Sequence, residues 1–177
     1  ESLTQNVQRF QDEMKEFKDE MKEFKDEMKE FKIEINKKWG ELANRLGTLA
    51  EDIFGPGIPY LLKSLGFETK GYFFDFKVGP EGRRRQYDVL IFAEAKDGRE
   101  KVFVVEVKNQ GRSEDFNQMK SLLEALPELY PEVKGRDIVP VLAAFRFGEG
   151  VKTYASKRGV LLVRMGGEYL EPLNREV

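Results

Sequence analysis

The stretch "VFVVEVKNQ" (102–110) opens as an unbroken apolar run and closes on a glutamate, a valine, a lysine and an amide. Side chains alternate faces along a strand, so Val102, Val104, Glu106 and Lys108 share one face while Phe103, Val105 and Val107 share the other. Apolar residues on both faces predict a central strand, since a half-exposed strand would alternate polar and apolar from its start. Glu106 and Lys108 then stand side by side at the end of an interior strand. Buried ions are paired, hydrogen-bonded or metal-bound. From these nine residues alone, a structural Glu–Lys pair and a functional site are both open.

The residues upstream sharpen the choice. Two more strand-like runs, "GYFFDFKV" (71–78) and "RQYDVLIFAE" (85–94), precede "KVFVVEVK" (101–108), joined by the turn formers "GPEG" and "AKDG". This pattern predicts an antiparallel meander. Asp88 falls on the face of Leu90 and Phe92, a second carboxylate where an apolar residue is expected. If the hairpin brings Asp88 beside the end of the third strand, two carboxylates and a lysine converge, which suits a hard-cation site next to a positive group better than core packing.

Downstream, residues 113–126 predict a helix with Ser113 as N-cap and an apolar face of Phe116, Met119, Leu122, Leu123 and Leu126. "DIVPVLAAFRF" reads as a buried strand, "EGVKTYASKRG" as a helix closed by Gly159, and "VLLVRM" as a last strand. With the helix ahead of the meander, the order is helix, three strands, helix, strand, helix, strand: an α/β sandwich around a mixed sheet. "GPGIP" (55–59) is expected to interrupt the first helix, and Gly66 to cap a short second piece after "YLLKSL".

The N-terminal part carries the strongest periodicity. The heptad "DEMKEFK" occurs three times in tandem over residues 12–32. Around it, Leu3, Val7, Phe10, Met14, Phe17, Met21, Phe24, Met28, Phe31 and Ile35 recur at alternating steps of four and three, with Val or Met at a and Leu or Phe at d. Glu13, Glu20 and Glu27 occupy g and Lys18, Lys25 and Lys32 occupy e, so a parallel pair matches opposite charges and an antiparallel pair opposes like ones. We expect residues 1–38 to form a parallel coiled coil that joins copies of the chain, a dimer being favoured and a trimer or tetramer the alternative given the bulky Phe and Met. The step from Ile35 to Trp39 is a stutter, after which the stripe continues at Leu42, Leu46, Leu49 and Ile53. Residues 39–177 form the second domain.

Composition narrows the chemistry. At 177 residues with 40% hydrophobic content the chain can bury a real core. No cysteine and no histidine are present, so disulfides, thiolate sites, imidazole bases and the usual zinc sites are excluded. Carboxylates, lysine and hydroxyls remain, with oxygen-ligated Mg²⁺ or Mn²⁺. No run approaches the roughly 20 apolar residues of a membrane span, and no signal pattern opens the chain. A soluble, cytoplasmic protein without a membrane partner is the expectation. Opening on Glu1 rather than methionine, it reads as a fragment or a processed chain, and its cysteine-free, 35% charged composition fits a thermophile. Net charge is −2, and residues 50–177 carry equal numbers of acids and bases. A polyanion would therefore be met by a local patch. Arg83, Arg84 and Arg85 are the densest candidate, their alternative being a solvated hairpin end.

Taken together, Asp88, Glu106-Val107-Lys108 and Glu51 on the preceding helix, set within αβββαβ, resemble the PD-(D/E)XK nuclease superfamily, which includes restriction endonucleases and archaeal Holliday-junction resolvases. The resemblance spans residues 41–165 and leaves out the coiled coil. It implies a restriction-endonuclease-like fold and metal-dependent hydrolysis of phosphodiester bonds in nucleic acid, with DNA the expected substrate. It further implies that Asp88, Glu106 and the Val107 carbonyl hold Mg²⁺ or Mn²⁺, that Lys108 eases hydroxide formation and stabilises transition-state charge, and that Glu51 binds water or a second metal. Gln110 and Gln118 would support these groups from behind. Tyr87 stands where the family motif has proline. The competing class is a coiled-coil assembly or tethering protein whose nuclease-like domain binds without cutting.

Overall fold

The computed structural model describes residues 2–166 and 169–174. The chain divides into two compact units, Glu1–Arg45 and Leu46–Val177. Helix α1 is assigned to Leu3–Ser64.

In the first unit α1 is a charged helix with one apolar stripe. Leu3, Val7, Phe10, Met14, Phe17, Met21, Phe24, Met28 and Phe31 are exposed in the single chain. The pairs Arg9–Glu13, Asp26–Lys29 and Glu34–Lys38 sit one turn apart and, being solvated, add only about 0.3–0.5 kcal/mol each. The side chain of Trp39, where the stutter was placed, lies outside the described residues.

The second unit is α/β: a mixed six-stranded sheet with helices on both faces. Strands β1 (Phe67–Val78), β2 (Arg85–Ala95) and β3 (Glu100–Gly111) form the expected antiparallel meander. Helix α2 (Asp115–Leu129) and a single 3-10 turn (Pro131–Val133) lead to β4 (Asp137–Phe147), parallel to β3. Helix α3 (Val151–Ser156) leads to β5 (Leu161–Gly166), parallel to β4, and β6 (Tyr169–Pro172) returns antiparallel along β5. The strands lie in chain order, β1 at one edge and β6 at the other. The predicted helix and strand order is found, with β6 added.

Alternation along the strands builds a core on each face. Val89, Ile91, Phe103, Val105, Val107, Val141 and Val163 pack against Ala50, Phe54, Ile58, Leu61 and Leu62 of α1. On the other face Leu90, Val102 and Val104 meet Leu122 and Leu126 of α2, while Leu142 and Leu162 meet Met119 of α2 and Ala155 of α3.

Two expectations are corrected here. Helix α1 is not interrupted at residues 55–59; it continues through Pro56 and Pro59 and ends ahead of Gly66, whose φ is +93°. Each proline removes one N–H donor, but Phe54, Ile58 and Leu62 are fully buried on the sheet, each worth roughly 1.5–3 kcal/mol. Burial of that face outweighs the lost hydrogen bonds. Ser113 is not the N-cap of α2, which begins after Glu114 without a side-chain cap. The Asp115 carboxylate instead accepts the Arg112 N–H at 2.7 Å, holding the turn from the other side.

Candidate active site

The ladder between β2 and β3 has its last matched pair at Val89↔Val105, whereas β3 stays registered with β4 through Glu106↔Leu142 and Lys108↔Ala144 to Gly111↔Phe147. The β1–β2 hairpin and the β3–β4 pair therefore part just beyond Val89 and Val105. Asp88 is the next residue on one side of that parting, and Glu106 the next on the other.

Asp88 takes over the lost ladder contact. Its Oδ2 accepts the backbone N–H of Val107 at 2.7 Å, fixing the carboxylate against β3. Burial raises its pKa, the Val107 hydrogen bond and the positive charge of Lys108 act against the rise, and Asp75 adds to it. Glu106 is more extreme, at 4% exposure. Burial pushes it up from its ordinary 4.5 to about 8, with Asp88 adding to the shift, Lys108 opposing it, and Asp115 and Glu51 contributing further. Its Oε1 is buried and has no hydrogen-bond partner. Lys108 lies at the mouth of the parting, close enough to lower both carboxyls, and its Nζ donates to Gln118 Oε1 at 3.4 Å.

The outer groups fall into place unevenly. Glu51 is an exposed residue of α1; partial burial raises its pKa, and Asp88, Asp75 and Asp52 raise it further, so it shares the field of the site. Gln110 accepts from the Arg112 guanidinium at 3.4 Å and makes no bond to Lys108 or the carboxylates. Arg83, Arg84 and Arg85 are exposed at the β1–β2 turn and the start of β2, and make no ion pair among the described residues. Tyr87 is wholly buried on the α2 face, and its hydroxyl donates to the Leu122 carbonyl at 2.8 Å. Tyr87 thus ties β2 to α2.

Two acids were missed. Asp75 faces Asp88 in the β1–β2 register, between Phe74↔Val89 and Phe76↔Tyr87. It has φ +48° and accepts from Lys77 at 3.0 Å and from Gln86. The signal was a lone aspartate in an aromatic strand, and Asp is among the few residues that tolerate that conformation. Asp115, at the start of α2, carried no signal beyond its charge. Next to Asp75, the half-exposed rings of Tyr72 and Phe74 lie 5.1 Å apart. A Cβ on Gly55, one helical turn after Glu51, would stand 2.8 Å from the Phe74 ring, so glycine allows that ring to lie on α1.

Among the described residues no three acidic side chains gather into a metal-binding group. A cation here would rest on the two carboxylates Asp88 and Glu106. The donor set is all oxygen, one donor atom is buried and orphaned, and burial with further acids nearby pushes the Glu106 carboxyl up to about 8 despite Lys108. The residues fit a hard divalent cation. A cavity of about 700 Å³ bounded by Pro59, Tyr60, Phe67, Thr69 and Glu94 lies at the other ends of β1 and β2 and holds none of these groups. The two carboxylates and Lys108 gather where the strands part, away from that hollow.

No protein-family model and no curated protein matches the chain. Solved structures are similar to it, three of which follow. EndoMS in its apo form shares 21% identity at a TM-score of 0.36, over 56% of this chain and 38% of that one. A repair endonuclease from Pyrococcus abyssi shares 20% at 0.39, over 63% and 46%, and an EndoMS-dsDNA2 complex shares 20% at 0.37, over 68% and 46%. The chain spans less than half the length of each. Likeness at this level transfers no residue role or activity. No helix among the described residues is long and apolar enough to cross a membrane.

Proposed function

We propose that this chain is a metal-dependent nuclease that hydrolyses phosphodiester bonds in nucleic acid, with DNA the expected substrate, and that it works as a homo-oligomer joined by its coiled coil. The observation that carries the reading is the meeting of Asp88, Glu106 and Lys108 where β2 and β3 part, with a buried carboxylate oxygen left without a partner.

Asp88 and Glu106 would hold Mg²⁺ or Mn²⁺. In an extended strand the N–H and C=O of one residue point the same way, so the Val107 carbonyl faces the Asp88 side and is the third candidate ligand. A bound divalent cation would supply electrostatic stabilisation of charge building on the phosphate. Lys108 places an ammonium beside both carboxyls, where it favours hydroxide over water and stabilises the added negative charge of the transition state. Gln118 orients that ammonium. Glu51, raised in pKa by partial burial and by its acidic neighbours, would hold a water or take its proton. Arg83, Arg84 and Arg85 are free to meet phosphates along the backbone. For the oligomer, the support is the exposed heptad stripe and its matched g and e charges. A two-fold dimer presents two copies of the site to a duplex whose strands are themselves related by local two-fold axes, which favours paired cleavage.

The test is incubation of the purified chain with labelled duplex, single-stranded and branched DNA and RNA, with Mg²⁺, with Mn²⁺ and with chelator. Cation-dependent cleavage of at least one substrate is expected. Binding without cleavage under every condition would support the non-catalytic tether instead.

A further inference from the structure

Within the second unit α1 carries two apolar faces. Ala50, Phe54, Ile58, Leu61 and Leu62 are buried on the sheet. Leu46, Leu49, Ile53, Pro56 and Tyr60 lie on another face, and Leu46, Leu49 and Tyr60 are 42%, 49% and 79% exposed. Their steps of three, four, three and four are those of a heptad seam, with Leu46, Ile53 and Tyr60 at a and Leu49 and Pro56 at d. One stutter, at Ile35 to Trp39, separates this seam from the tandem repeat.

The positions beside the seam suit a second copy. In a parallel pair each g residue meets an e residue five positions on. Arg45 and Asp52 stand at g, and their e counterparts Ala50 and Gly57 are uncharged and covered by the chain's own sheet and Leu170, so no like charges are opposed. Glu51 occupies f, the position farthest from the seam, where partial burial and the charges of Asp88 and Asp75 raise its pKa.

We infer that a second copy of this chain pairs along Leu46 to Tyr60 as well as along the repeat, so that the helix supplying Glu51 to one site is itself part of the interface between copies. The inference rests on the coiled-coil reading above and goes beyond it: the catalytic units are clasped to each other, not merely tethered, and the spacing of the two sites is set by the seam.

The chain has no cysteine, so single cysteines report contacts without background. Full-length chains carrying Phe24→Cys in the repeat, Leu49→Cys in the second seam and Glu41→Cys at an off-seam c position are compared under mild oxidation on non-reducing gels. We expect Phe24→Cys and Leu49→Cys to become covalent dimers almost completely, with Glu41→Cys remaining a single chain. Linking of Phe24→Cys without Leu49→Cys would overturn this inference and leave the coiled coil standing, and failure of both would overturn the two together. Equal linking of Glu41→Cys would mark collision in place of a seam and also overturn it. As a second measurement, Leu46→Glu with Leu49→Glu, both exposed in the single chain, should raise the dissociation constant at least tenfold in sedimentation equilibrium; an unchanged constant would contradict the seam.

Discussion

Glu106 is the residue where folding and chemistry conflict most openly. Packed at 4% exposure with an unpartnered oxygen, it holds its proton to about pH 8 in the folded chain, whereas the unfolded chain releases it near the ordinary 4.5. The unfolded state then binds fewer protons between those values, so in chelator stability falls as pH rises through that window and levels off above it. Glu106→Gln removes the slope. In urea unfolding at about pH 8.5 the variant should exceed the parent by on the order of a few kcal/mol, the difference vanishing near pH 4; a parent as stable at the higher pH as at the lower would contradict this. For the same reason Mn²⁺ binding, proposed to need the charged carboxylate, should strengthen toward pH 8. Asp88→Asn should abolish the Mn²⁺ signal in isothermal titration, and unchanged binding would remove Asp88 from the ligand set.

At the scale of the element, the fold was legible wherever one pattern acted alone. The meander was readable because runs rich in Val, Ile and Phe are bounded by the turn formers "GPEG" and "AKDG", and α2 because its apolar residues recur at helical spacing. The misreadings arose where two patterns competed. The residues "GPGIP" say break while Phe54, Ile58, Leu61 and Leu62 say helix, and tertiary burial decided for the helix. Strand β6 pairs only four residues with β5, too short for periodicity to show. At the candidate site Asp88, Glu106 and Lys108 were legible because each interrupts an apolar strand. Asp75 was not, since its role follows from facing Asp88 across β1 and β2. Tyr87 yields an element-scale prediction. Tyr87→Phe keeps the ring but loses the bond to the Leu122 carbonyl that joins β2 to α2. It should cost about 1 kcal/mol in denaturant unfolding, and a neutral effect would show that the hydroxyl does not hold the two elements together.

In the whole molecule a helix with an exposed apolar stripe leads into a sheet whose parted strands gather two acids and a lysine. Light scattering on the full chain should return twice the chain mass, and a single-chain mass or an odd-numbered oligomer would end the argument for paired cleavage. Lys108 bears most directly on the proposed activity, because it is assigned to the transition state and not to the ligand set. The decisive measurement is cleavage of a labelled DNA substrate in Mg²⁺ by the parent and by Lys108→Ala, with Mn²⁺ titration of both. Expected are cutting by the parent that chelator stops, a loss of at least ~100-fold in the variant, and retained Mn²⁺ binding. Undiminished cutting by Lys108→Ala would contradict that assignment.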